Sequence, residues 1–255
     1  MIKLSGIDPL IIASPLAAIA SDIATRKSLG LLRSQGLEHL KGLPTSRREK
    51  SIMRQAKEDY GVESGYAYVP KLSRGNSMFI SSDNIKEYMR RNADLDPKIM
   101  KALTKNVGKH GLVVAGKGWK KPGVVEHEFG HAIAQEGGSP LEKLVHKPWV
   151  DDYERYYHTI PSHIVGGATG RFKGGAAGML AGALAGLAFG SPRIYREMIA
   201  DKYGKKLMTE KDKARTSSWP FLGSYIAQAA VPATVTGGVV GGASQLLKLL
   251  RKAKR

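Results

Sequence analysis

The stretch Pro122-Gly123-Val124-Val125-Glu126-His127-Glu128-Phe129-Gly130-His131-Ala132-Ile133-Ala134 decides how this chain is read. Proline is tolerated in a first helical turn, where its missing N–H would have no partner anyway. Gly137, Gly138 and Pro140 supply the stop. The span between them predicts a helix of about 13 to 15 residues, with Val125, Phe129, Ala132 and Ile133 on its apolar face. His127 and His131 are four residues apart and share a face, so their imidazoles can grip one zinc ion. Glu128, one step round, is placed to hold a metal-bound water and act as general base.

A catalytic zinc takes three protein ligands and keeps a fourth position open. The longer pattern HExxHxxGxxH fails here, because Gly137 stands where its last histidine would be. The alternative is a distant carboxylate. In Arg193-Ile194-Tyr195-Arg196-Glu197-Met198-Ile199-Ala200-Asp201-Lys202-Tyr203-Gly204, Glu197 and Asp201 are again i and i+4 on an expected helix. One can ligate while the other accepts a hydrogen bond from a ligand histidine and fixes its tautomer.

HExxH followed by E-x-x-A-D-x-x-G resembles the gluzincin membrane metallopeptidases, the group of the HtpX heat-shock protease and the CAAX prenyl endopeptidases. The resemblance covers roughly residues 120–209 and rests on His127, Glu128, Gly130, His131, Glu197, Ala200 and Asp201. It implies a zincin-like core, zinc held by His127, His131 and Glu197, Glu128 as the catalytic base, Asp201 behind the ligands, endopeptidase activity and association with a membrane. One position departs: the family's arginine three residues before the ligand glutamate is Ile194 here, flanked by Arg193.

Between the two motifs, glycines fall at 166, 170, 174, 178, 182, 186 and 190, one at every fourth residue. On a helix this spacing makes a smooth groove that another helix can approach at backbone distance. Residues 216–247 carry no charge, and Ala229, Ala233, Gly237 and Gly241 repeat the small-residue spacing. The pattern predicts two closely packed helices in or on lipid, the first a glycine-ladder helix over 162–190. The second is long enough to span, with Pro232 expected to kink it. Such a ladder also invites self-association. His127 and Glu197 must meet at one zinc, and a single crossing between them would put them on opposite sides of a bilayer. The ladder is too short for two full crossings, so a re-entrant, interfacial or protein-packed helix is expected. Should Glu197 not ligate, His158 or His163 is the reserve.

The rest of the chain sets the context. Its 255 residues carry 40 Lys+Arg against 22 Asp+Glu, a net +18, which favours an anionic partner. From residue 161 onward there are 15 Lys+Arg against 4 Asp+Glu. With the basic tail Lys248, Arg251, Lys252, Lys254 and Arg255, this points to anionic lipid headgroups rather than nucleic acid, for which no motif is visible. The absence of cysteine excludes disulfide scaffolds, thiolate zinc modules and cysteine nucleophiles. The apolar run Pro9 to Ala20 is too short to span. With only Lys3 ahead of it and Pro9 and Pro15 within it, it reads as a docking helix rather than a cleaved signal. Residues 22 to about 70 read as helical and basic. Met78-Phe79-Ile80 and Leu112-Val113-Val114 read as short strands, with helix from Ile85 to Val107 broken near Pro97.

The expected architecture is mainly α with a small β-element. It has a basic helical region at 1–70, a zincin-like core at 71–215 interrupted by the ladder, and an apolar helix with a basic tail at 216–255. The expected activity is zinc-dependent hydrolysis of peptide bonds in a protein or peptide substrate at a membrane whose side is not specified. An extended substrate would pair beside Leu112–Val114. The rival reading is a non-catalytic protein that perforates lipid with its glycine-rich helices.

Overall fold

The computed structural model describes residues 45–68, 77–91, 97–115, 123–147, 149–150, 153, 159–215 and 219–253. The expected docking helix at 9–20, His158 and the last two basic residues lie outside them. The described residues divide into two compact units, 45–150 with 195–219 and 159–194 with 220–253.

The first unit begins with α1 (Thr45–Tyr60), β1 (Gly65–Tyr68), β2 (Met78–Ser81), α2 (Ile85–Arg91), α3 (Pro97–Lys105), β3 (Gly111–Ala115), α4 (Val124–Gly137) and α5 (Pro140–Leu144). The strand order is β1-β3-β2, with β1 parallel and β2 antiparallel to β3. Side chains alternate across a strand, and β3 uses both faces. Val113 and Ala115 pack with Val125, Phe129 and Ile133 of α4 and Ile52 of α1. Leu112 and Val114 pack with Ile80, Leu103 and the α2–α3 side. A run buried on both faces is therefore continuously apolar, as Leu112-Val113-Val114 is.

Three expectations are corrected. The helical reading of 22 to about 70 stops at Tyr60 within the described part. Gly61, at φ 69, turns the chain, with Gly61 N–H donating to the Lys57 carbonyl (2.9 Å) and Val62 N–H to that of Ala56 (3.1 Å). The chain then leaves as β1. Residues 45–60 are not a separate basic region either, because Ile52 and Ala56 are buried in the α4 core. Finally, Leu112–Val114 offers no edge to a substrate, since β1 and β2 occupy both its sides.

The second unit holds α6 (Thr159–Lys173), the first part of α7 (Gly175–Lys206) and most of α9 (Trp219–Ala253). Residues 195–206 of α7 and the short α8 (Glu210–Arg215) belong to the first unit. The ladder is thus not one helix. Gly174, at φ 100, breaks it, and the chain reverses. A methyl group on Gly178 would overlap Gly170, and one on Gly182 would overlap the Ala233 backbone; Gly166 lies beside both Gly182 and Ala233. The pairing is symmetric about Gly174, as a helical hairpin requires, and α9 lies in its groove. There Gly237 meets the Gly178 backbone and Gly241 that of Gly175. The groove that invited self-association is filled by the chain's own α9.

Large apolar side chains of this unit point the other way. Phe172 is 72% exposed, Ile164 64%, Leu180 63%, Leu184 60% and Leu249 64%. Two helices, Gly175–Lys206 and Tyr225–Leu250, are long and apolar enough to cross a membrane. The first 18 residues of α7, Gly175 to Pro192, carry no formal charge, a rise of about 27 Å.

Candidate metal centre

The site is built where α4 and the end of α7 cross. Glu126 caps the start of α4 from its third position, accepting from the Gly123 backbone N–H at 2.9 Å. Its carboxylate is buried and pairs with Arg48 of α1, whose Nε donates at 2.9 Å. Unpaired, that buried charge would be strongly unfavourable.

Two glycines set the crossing distance. A Cβ at Gly130 would collide with the Ala200 carbonyl, and one at Gly204 would press on the Glu126 carbonyl and the His127 Cα. The glycine of HExGH and the last glycine of E-x-x-A-D-x-x-G are thus opposite ends of one close helix contact. Ala200, fully buried, fits because it is small.

That contact brings the three expected ligands together. His127 Nε2 is 3.0 Å from Glu197 Oε2, and His131 Nε2 is 3.5 Å from the same oxygen. The imidazoles meet edge to face with centroids 4.9 Å apart. One donor atom from each of His127, His131 and Glu197 lies within 4.8 Å of the others, so this group could hold a metal ion. Two nitrogens and one carboxylate oxygen form a donor set that zinc accepts with a position to spare.

Electrostatics follow from burial and proximity. Burial pulls the His127 pKa down, but the hydrogen bond and charge of Glu197 outweigh it and carry it up to about 9. Burial would raise Glu197, yet the charge of His131 and the hydrogen bonds from both histidines hold it well below the usual carboxylate range. Glu128 is raised by burial, opposed by the charges of His131 and His127 and by the Phe79 backbone hydrogen bond. That last contact has a topological origin. Ser82 N–H donates to the His110 carbonyl, so alternate residues of β2 turn toward β3 and Phe79 turns outward from the sheet.

Asp201 sits near enough for its charge to favour the His127 cation, but its ion pair is with Lys205 at 3.2 Å, one turn on. The reserve ligand His163 lies in the other unit, bonded through Nδ1 to Thr236 Oγ1 at 2.7 Å.

One residue at the site escaped the sequence reading. His146 is 8% exposed, with Nε2 3.1 Å from His131 Nδ1 and Nδ1 2.7 Å from the Glu142 carbonyl oxygen. Burial and the charge of His131 lower its pKa to about 3. A signal for its placement was available in Ser139-Pro140-Leu141-Glu142, a capping box that starts a new helix directly after α4 and folds the chain back. Glu142 accepts from Ser139 N–H at 2.7 Å and from Tyr203 Oη at 3.1 Å, fixing α5 against α7. No protein-family model, curated protein or solved structure matches this chain.

Proposed function

We propose that this chain is a zinc-dependent endopeptidase that works at a membrane. The observation carrying the reading is the convergence of His127, His131 and Glu197 from helices 70 residues apart in sequence, with Glu128 beside them. When bound there, zinc would polarise the scissile carbonyl and make water a stronger acid. The protein's own part is then defined. His127, His131 and Glu197 would hold the ion. Glu128, its carboxyl raised by burial, accepts the proton of the attacking water and returns it to the leaving amine. Phe79 N–H steadies that carboxylate from β2, and β2, paired to β3 along one side, offers its outer edge to an extended peptide.

The inverted packing of the second unit supports the membrane part. Its glycines face each other and its large apolar side chains face out, the arrangement expected where the surroundings are as apolar as leucine. Charges at Arg171, Lys173 and Lys248 mark one end and Arg193, stacked on Tyr225 at 4.9 Å, the other. A hairpin ladder returns the chain to the end where it entered, which is compatible with His127 and Glu197 sharing one ion.

The test is metal content and peptide cleavage of the purified protein. About one zinc per chain is expected, lost in Glu197→Ala. Glu128→Gln should keep the zinc and lose about 10²- to 10⁴-fold in cleavage rate. The rival reading, a non-catalytic protein that perforates lipid, is favoured by the same exposed apolar belt. It predicts vesicle leakage undiminished by Glu128→Gln, together with no cleavage by the unmodified chain.

A further inference from the structure

We infer that His146 is a positioning residue for the metal centre, fixing His131 in the tautomer that presents Nε2 to the ion. The inference rests on the zinc reading for its purpose and on hydrogen-bond geometry for its substance. A backbone carbonyl only accepts, so the 2.7 Å contact from His146 Nδ1 to the Glu142 carbonyl puts the proton on Nδ1. A neutral imidazole then has an unprotonated Nε2, an acceptor. His146 Nε2 lies 3.1 Å from His131 Nδ1, which must be the donor. With Nδ1 committed to His146, His131 has only Nε2, 3.5 Å from Glu197 Oε2, left to present to an ion. The direction of the chain is set by the one member that cannot reverse, the carbonyl of Glu142.

The surroundings hold His146 in place. It is 8% exposed, and both ring nitrogens are engaged, Nδ1 by the Glu142 carbonyl and Nε2 by His131 Nδ1. Its ring stands 5.4 Å from that of His131 at 66°, an edge contact that limits rotation. Ligand histidines usually find this support in a carboxylate or a carbonyl.

The experiment uses the full chain with ¹⁵N-labelled histidine and zinc as the probe. Long-range ¹H–¹⁵N spectra report which ring nitrogens carry protons, and competition with a chromophoric chelator gives zinc affinity. Expected are a protonated Nδ1 on His131, a 10- to 100-fold loss of zinc affinity in His146→Leu, and recovery to within about threefold in His146→Gln, whose amide oxygen can accept the same proton. An unprotonated His131 Nδ1 in the unmodified chain, or zinc affinity unchanged in His146→Leu, overturns the inference. Should His146→Leu fail to fold, the His131 spectrum and His146→Gln still decide it. In metal-free protein the same spectrum still tests the inference, since an unprotonated His131 Nδ1 overturns it there too. A chain that binds no zinc therefore refutes the proposed function without confusing this result.

Discussion

The two units use glycine for the same geometric end and bury opposite kinds of side chain around it. In the sheet-containing unit, Gly130 and Gly204 let α4 and α7 touch, while Phe129, Leu112 and Ile133 fill the interior completely. In the helical unit, the glycines are the interior and Phe172, Leu180 and Leu184 are the exterior. The first arrangement draws its stability from removing large apolar side chains from water. The second leaves most of that surface unburied and draws on close backbone packing, the kind of contact that also joins helices in lipid. Close helix contact thus has two uses, one to bring His127, His131 and Glu197 together and one to hold the small-residue helices together.

The largest expected effect comes from attacking the contact that brings His127, His131 and Glu197 together. Gly130→Val must push α7 away from α4 at Ala200, and overpacking of this kind costs about 1–3 kcal/mol or more. Zinc content of the purified variant should fall to background. Zinc at the unmodified level would mean that the crossing distance is not what assembles the ligands. Next in size is a contrast of polarity. Leu112→Asp places a charge in a fully buried position and should abolish folding of the sheet unit. Leu184→Asp, at a position 60% exposed, should leave solubilised protein folded while its flotation with vesicles drops. Equal effects of the two on folding would erase the distinction between the units.

A pH experiment sharpens the first unit alone. His127 is raised in the folded, metal-free protein to about 9, above its unfolded value of about 6.5. Its contribution to stability is then complete below about pH 6.5 and is lost as pH rises through about 9. Zinc must displace the same proton, so zinc affinity should rise over that window while metal-free stability falls. Urea midpoints and chelator competition on one preparation would show the opposing slopes, and parallel slopes would refute the His127–Glu197 pairing. The smallest expected effect is that of Asp201→Asn. With its ion pair made to Lys205 on a partly exposed helix turn, its loss should change zinc affinity by less than about threefold.

What the sequence disclosed was local. The helix around His127 and His131, its length, and the strands at 78–81 and 111–115 are each specified within a dozen residues by period, cap and stop. Glu197 was legible because its spacing to Ala200, Asp201 and Gly204 lies on one helix. β1 was hidden, since Gly65–Tyr68 is four residues long and becomes a strand only by pairing with β3, some 45 residues on. The reversal at Gly174 was hidden differently: the fourfold spacing runs through it unbroken, so nothing numerical separates the turn from its neighbours. His146 looks like any single histidine until α5 folds back on α4.

The 70 residues between His127 and Glu197 also have a meaning in time. A ribosome adds about 5–20 residues each second, so the two histidines exist for roughly 4–14 s before the glutamate is made. The glycine hairpin is synthesised entirely within that interval. A growing chain therefore carries two of the three residues of the metal-competent group, and gains the third only after its apolar hairpin has been made.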